Sequence, residues 1–251
     1  MKKIILIILC LALFAIPAAG CVSVNVPGLG GIGAGAGVTG RGSLEKFTFN
    51  VGDITELRVT LLCNVEFYTT QSDTVTFEVQ SNLMDYITVE ERNGVLTVRS
   101  ARNINWTHGS TPTLTIGAPN LSNVIITGAG MFTAHDTITV DSFNIEFAGA
   151  STGKADFNVD RLSVNLAGAG SFTMTGFADK ADFTLAGAGR IDALDLQTRI
   201  ADVNLAGAGT VRVGCTDALS VIAAGVGTVE YRGTPTVDIT RGGLVTVRQV
   251  N

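Results

Sequence analysis

From Leu44 onward the chain alternates apolar and polar residues. FTFNV, LRVTL, VEFYT, TVTFEV, ITVEE, GVLTVRS and TLTIG all follow this rule. A two-residue period rich in Val, Thr and Phe puts one side of each segment inward and predicts half-buried strands. Asn93-Gly94 lies between ITVEE and VLTVR. Both residues tolerate positive φ, so this dipeptide predicts a tight hairpin turn. No segment after residue 20 sustains a helical period, and the chain reads as all-β.

Beyond residue 117 a longer period joins the alternation. A GAG-type motif begins at Gly128, Gly149, Gly168, Gly187, Gly207 and Gly225, a step of about twenty residues each time. Four residues before these glycines stand Val124, Ile145, Val164, Phe183, Val203 and Val221. Two residues before them stand Ile126, Phe147, Leu166, Leu185, Leu205 and Ala223. The column between is mostly polar, as a strand with one buried face requires. Phe132, Gly153, Phe172, Ile191, Val211 and Val229 form a second inward column past the motif. Ile138, Phe157, Phe177 and Leu194 suggest a third inward strand in each coil.

Twenty residues at about 3.3 Å make a perimeter near 66 Å, enough for three sides of roughly 20 Å. The expected fold is a right-handed parallel β-helix with coils of about 20 residues, its hand following the general preference of parallel connections. The motif itself is expected to be a corner that every coil turns. Gly130, Gly170, Gly189, Gly209 and Gly227 supply its second glycine, and Ser151 replaces it in the second copy. Positive φ and close approach of neighbouring coils are the two reasons glycine suits such a place.

Composition narrows the function classes. Apolar residues make up 46% of the chain and charged residues 16%, which allows a sizeable core. The net charge of −5 argues against a nucleic-acid partner, whose phosphates call for Lys and Arg. Lys2 and Lys3, the run IILIILCLALFAIP and the small residues Ala18, Ala19 and Gly20 make residues 1–20 a secretory signal. Its removal takes two lysines and shifts the charge to −7. AAGC resembles a lipobox, so Cys21 is the expected lipidation site and membrane anchor. Residues 21–42 read as a Gly-rich tether. GAGVTG within it matches a dinucleotide fingerprint through Gly35, Gly37 and Gly40, but no strand leads in and no helix follows. Residues 43–116 then form an N-terminal β region acting as a cap, and residues 117–251 the GAG repeats. Cys63 and Cys215 are expected to be small buried residues and not a disulfide.

The lipobox, the glycine-rich tether, the NGVLTV hairpin, ITGAG, three copies of LAGAG and the closing GVGTVEYRGTP together resemble the head GIN domain family of auto-transporter adhesins. The resemblance covers about residues 43–251. It implies a right-handed parallel β-helix on a secreted or lipid-anchored bacterial envelope protein, and it carries no catalytic residues across.

Candidate chemistry lies mainly in one polar column, five residues before each first glycine: Asn123, Asn144, Ser163, Asp182, Asp202 and Ser220. Such a ladder offers oxygen ligands to a divalent cation or a sugar. The simpler reading, which we prefer, is side chains solvating a strand edge and bonding to one another along the stack. The two aspartates have no basic or imidazole partner in the same column, so no acid/base pair is apparent. His108 and His135 lack ligand-type neighbours at metal spacing, and no metal or cofactor is expected. Trp106, in the loop NINWTHGSTP, is a candidate contact for sugar or partner, or a cap over the core. The leading expectation is a non-enzymatic binding module of the cell envelope, at the outer membrane or cell surface, recognising glycan or protein. A self-associating structural protein ranks second and a carbohydrate-active enzyme third.

Overall fold

A computed structural model describes residues 38–105 and 111–251. Cys21, Trp106 and His108 therefore lie outside the described residues. The chain winds as a parallel β-solenoid of about seven turns with coils of about 19 residues. Segment Asn123–Ala134 stacks on Ile138–Leu166, followed by Ala169–Leu185, Ala188–Leu205, Ala208–Ala223, Val226–Arg232 and Leu244–Gln249. The columns read from the alternation are the observed registers. Val164, Phe183, Val203 and Val221 pair in series, as do Leu166, Leu185 and Leu205. All seven are buried.

Aromatic rings fill the middle of the core. Phe147 and Phe172 meet edge to face at 5.3 Å, and Phe143 and Phe157 tilt together at 5.4 Å. Gly153 makes space for this packing, because a Cβ there would lie 2.5 Å from the Phe172 ring. Phe177 departs from the expected inward column and is 44% exposed. Phe157 pairs with Gly176 (φ +99°), and Phe177 falls one place later beside Asn158. A one-residue slip in a two-residue period turns a side chain to the opposite face.

The corners sit where the motif puts them, but mostly for one of the two reasons. Among their glycines only Gly130 and Gly149 have φ in the left-handed range. The others are required by proximity along the solenoid axis. A Cβ at Gly168 would lie 2.0 Å from the Gly149 carbonyl oxygen, one at Gly187 1.9 Å from that of Gly168, and one at Gly207 2.0 Å from that of Gly187. Gly243 repeats the relation on Gly225 at 2.1 Å and marks a further corner, in RGGLVTV.

The N-terminal region contains more than a cap. Its Glu56–Val59 and Asn64–Tyr68 form a coil directly beneath Asn123–Ala134. Val95–Ser100 and Thr113–Gly117 lie beneath that coil in turn, so space and sequence run in opposite order here. Antiparallel strands then close the end: Ile87–Arg92 on Val95–Ser100, Thr74–Gln80 on Thr113–Gly117, and Leu44–Asn50 on Thr74–Gln80. Asn93 (φ 53°) and Gly94 (φ 80°) turn the first hairpin as their sequence predicts. Part of the segment read as tether also packs. Val38–Thr39 pairs with Ile104–Asn105, and the Arg41 N–H donates to Asn82 Oδ1 at 2.9 Å. Cys63 and Cys215 are free and buried, and burial pushes the Cys63 thiol up to about 12.

Candidate functional site

The polar column is continuous on the outer face. At its N-terminal end Asn144 Nδ2 donates to Asn123 Oδ1 at 2.8 Å, the side-chain ladder that stacked amides build. Further along, Ser163, Asp182, Asp202 and Ser220 occupy paired positions on successive coils. The column itself holds no cationic group. Lys180, two residues earlier on the same face, supplies one: its Nζ lies 2.9 Å from Asp202 and 3.6 Å from Asp182. A shallow groove of about 210 Å³ opens beside them, lined by Thr184, Asn204 and the exposed Ile222 among others.

The three charges are not equally matched. Hydrogen bonding to Asp202, aided by both carboxylates, raises the Lys180 pKa. Burial raises that of Asp182, and the neighbouring Asp202 adds to this against the pull of Lys180. Lys180 sits closer to Asp202 than to Asp182, so Asp182 has the weaker contact to set against its burial. The ammonium already stands between the two carboxylates, where a bridging cation would have to sit. Among the described residues no group of three His, Cys, Asp or Glu side chains could hold a metal ion.

Over the last four coils a second column is built entirely of charge. Asp192, Arg212, Glu230 and Arg248 pair coil by coil, each five residues after the first glycine of its corner. Arg212 reaches Asp192 and Glu230 at 2.9 Å each, Arg248 reaches Glu230 at 2.5 Å, and Arg190 closes on Asp192 at 2.8 Å. Elsewhere on the outer surface Arg199 bridges Asp179 at 2.7 Å and Asp217 at 3.0 Å, joining three coils. The fixed offset and alternating sign were available in the sequence, but only after the corners had been aligned.

These networks set the acid response. Hydrogen bonds from Arg248 and Arg212 hold the Glu230 carboxyl below its ordinary range. Burial pushes Asp192 upward, but the Arg190 and Arg212 guanidiniums outweigh it and the net shift is down. Asp179 and Asp217 are lowered too, Asp179 first by Arg199 and Asp217 first by Thr216 and then Arg199. A depressed folded pKa means stability that is present above the unfolded value and lost as pH falls through the folded one. The melting temperature should therefore hold steady down to roughly pH 5 and fall below about pH 4. Arg212→Met should flatten that fall. Circular dichroism melts across this range check it, and a pH-independent midpoint would show that the networks add nothing.

His135 sits on the outer surface, stacked on Tyr68 at 4.6 Å and paired with Glu66, while the adjacent Asp136 accepts from the Thr69 N–H at 3.0 Å. These three contacts tie the first coils together.

Comparison with known proteins places this architecture. A crystal structure from Bacteroides fragilis, described as a "putative adhesin", superposes with a TM-score of 0.77 at 20% identity over 85% of this chain and all of its own. A "putative lipid binding protein" from Parabacteroides distasonis superposes at 0.69 with 21% identity, covering 85% of this chain and 99% of that one. A "putative adhesin" from the same organism does so at 0.64 with 22% identity and the same coverage. At these identities the likeness is one of fold. A search of curated proteins finds no match. The family model described as "Putative auto-transporter adhesin, head GIN domain" matches residues 53–235. That span takes in all six aligned GAG corners and the first coils beneath them, and the chain belongs to this family.

Proposed function

We propose that this chain is a binding module of the bacterial envelope, held to the membrane through lipid on Cys21 and displayed at the cell surface. The observation that carries the reading is the family match over the solenoid itself, since the GAG coils are the adhesin-type domain and not a spacer beside it. The signal-like residues 1–20 and the AAGC sequence support the anchor. The outer columns support binding over catalysis. Their carboxylates are matched with Arg and Lys cations, and Asp182, the one raised upward, lies against Lys180 and Asp202. Protease shaving of intact cells, followed with an antibody to residues 43–251 and a periplasmic control, tests the display. Loss of signal is expected. Protection until the envelope is broken would overturn surface display and move the search to partners within the envelope.

A second reading, self-association, has its own observation. Leu244–Gln249 hydrogen-bonds to a strand on one side only among the described residues, and Leu244 is 81% exposed. An unpaired parallel edge can accept a strand from another copy. A molar mass that rises with concentration in light scattering would favour this reading.

A further inference from the structure

We propose that a notch in the solenoid wall, between Leu194–Leu196 and Gly214, is a subsite for a single neutral sugar ring of a glycan. This rests on the binding-module reading and names its ligand class.

The notch arises from one break in an otherwise regular stack. Ala193 pairs with Val213, but the next pair is Gln197 with Gly214, so Leu194, Asp195 and Leu196 have no counterpart in the following coil. The shorter coil leaves a cleft of about 300 Å³, near the lower end of the sizes that small-molecule sites occupy, ~300–1,000 Å³. That suits one ring and not a chain of them. Leu194 gives the cleft an apolar floor, and Leu196 lies fully buried beside it. Asp195 and Arg232 form its rim and meet at 3.1 Å, a bridge that skips a whole coil because the one between is short. Gln197 and Thr216 complete the polar edge.

Phe177 joins this arrangement from the neighbouring strand. It pairs with Gln197, the residue at the cleft, and both point outward. An outward phenylalanine alone is unremarkable. Here it gives a flat apolar surface one coil from Gln197, an amide that both donates and accepts, with the acceptor Asp195 and the donor Arg232 lining the cleft beyond it. A pyranose ring has the matching form, with one C–H face and an edge of hydroxyls that donate and accept. Oδ2 of Asp195 and Nη2 of Arg232 have no protein partner among the described residues and can serve two such hydroxyls. The carboxylate beside the arginine disfavours an anionic ligand, since like charges would meet. The shallow floor is too small for a lipid chain.

The test uses the full-length chain in detergent on an array of glycans ending in glucose, galactose, mannose or their neutral N-acetyl amino sugars. Binding to at least one terminal sugar is expected. Phe177→Ala and Asp195→Ala should each weaken it about ten-fold, with melting temperatures unchanged and Lys46→Ala, on the far end, as control. Binding that neither variant weakens would overturn the notch as its site and leave the binding-module reading standing. No binding to any neutral terminus would overturn the ligand class, and shaving would then judge display independently. Sugar binding by a chain that resists shaving would uphold the notch and overturn surface display.

Discussion

Leu185→Asp should abolish the cooperative melting transition of the solenoid. Leu185 is completely buried between Leu166 and Leu205 in the middle of the stack. The substitution forfeits the burial of the leucine, about 1.5–3 kcal/mol. It also places a carboxylate among methyl groups with no partner, which costs several kcal/mol more even after relaxation. The sum is comparable with the whole stability of an ordinary domain, ~5–15 kcal/mol. Leu185→Met, which keeps volume and polarity, should cost less than about 1.5 kcal/mol. Circular dichroism and size exclusion distinguish the cases. A wild-type melt for the aspartate variant would mean that the inward column is wrongly drawn.

Gly187→Ala should be among the most damaging single-methyl changes. The added Cβ would stand 1.9 Å from the Gly168 oxygen and 2.7 Å from both its carbon and its nitrogen. Every one of these atoms is backbone, so no side chain can rotate away. Relief requires the two coils to part, which strains the bonds from Ala186 N to Leu166 O at 2.9 Å and Ala188 N to Gly168 O at 2.8 Å. Overpacking against side chains costs about 1–3 kcal/mol, and overpacking against a hydrogen-bonded backbone should reach or exceed the top of that range. Gly52→Ala is the matched comparison. Its Cβ would meet only the Glu91 carboxylate at 3.5 Å, an ordinary contact, and its effect should stay within about 0.5 kcal/mol. Chemical denaturation of both variants gives the difference directly, and equal midpoints would refute the close-approach account of the corners.

The solenoid was legible in the sequence because identical corners recur and the inward columns follow from them. Leu166, Leu185 and Leu205 needed only alignment on the motif to be placed. The reason for the glycines was only half legible. A sequence shows that a side chain is missing, whereas a conflict with a carbonyl one coil away depends on axial spacing. Phe177 was misplaced because the residue in register with Phe157 is Gly176, so the phenylalanine one place later faces outward. The Lys180 contact was missed because it crosses from one column to another two residues away. The notch was invisible for a related cause: coil lengths of 20 and 18 residues appear in the corner spacing, but not the side of the coil from which residues are lost.

The reversed order of the first two coils bears on how the molecule assembles. Between successive GAG coils a contact closes a loop of about 19 residues, so adding each coil carries a similar and modest entropic cost. At the other end Val95–Ser100 must return to Glu56–Val59 across 39 residues, and Asn123–Ala134 must reach that same coil across 67. Each GAG coil can pair with the next without the N-terminal strands, so by closure cost alone the regular end is the cheaper place for assembly to begin, and the irregular end joins it at the larger entropic cost.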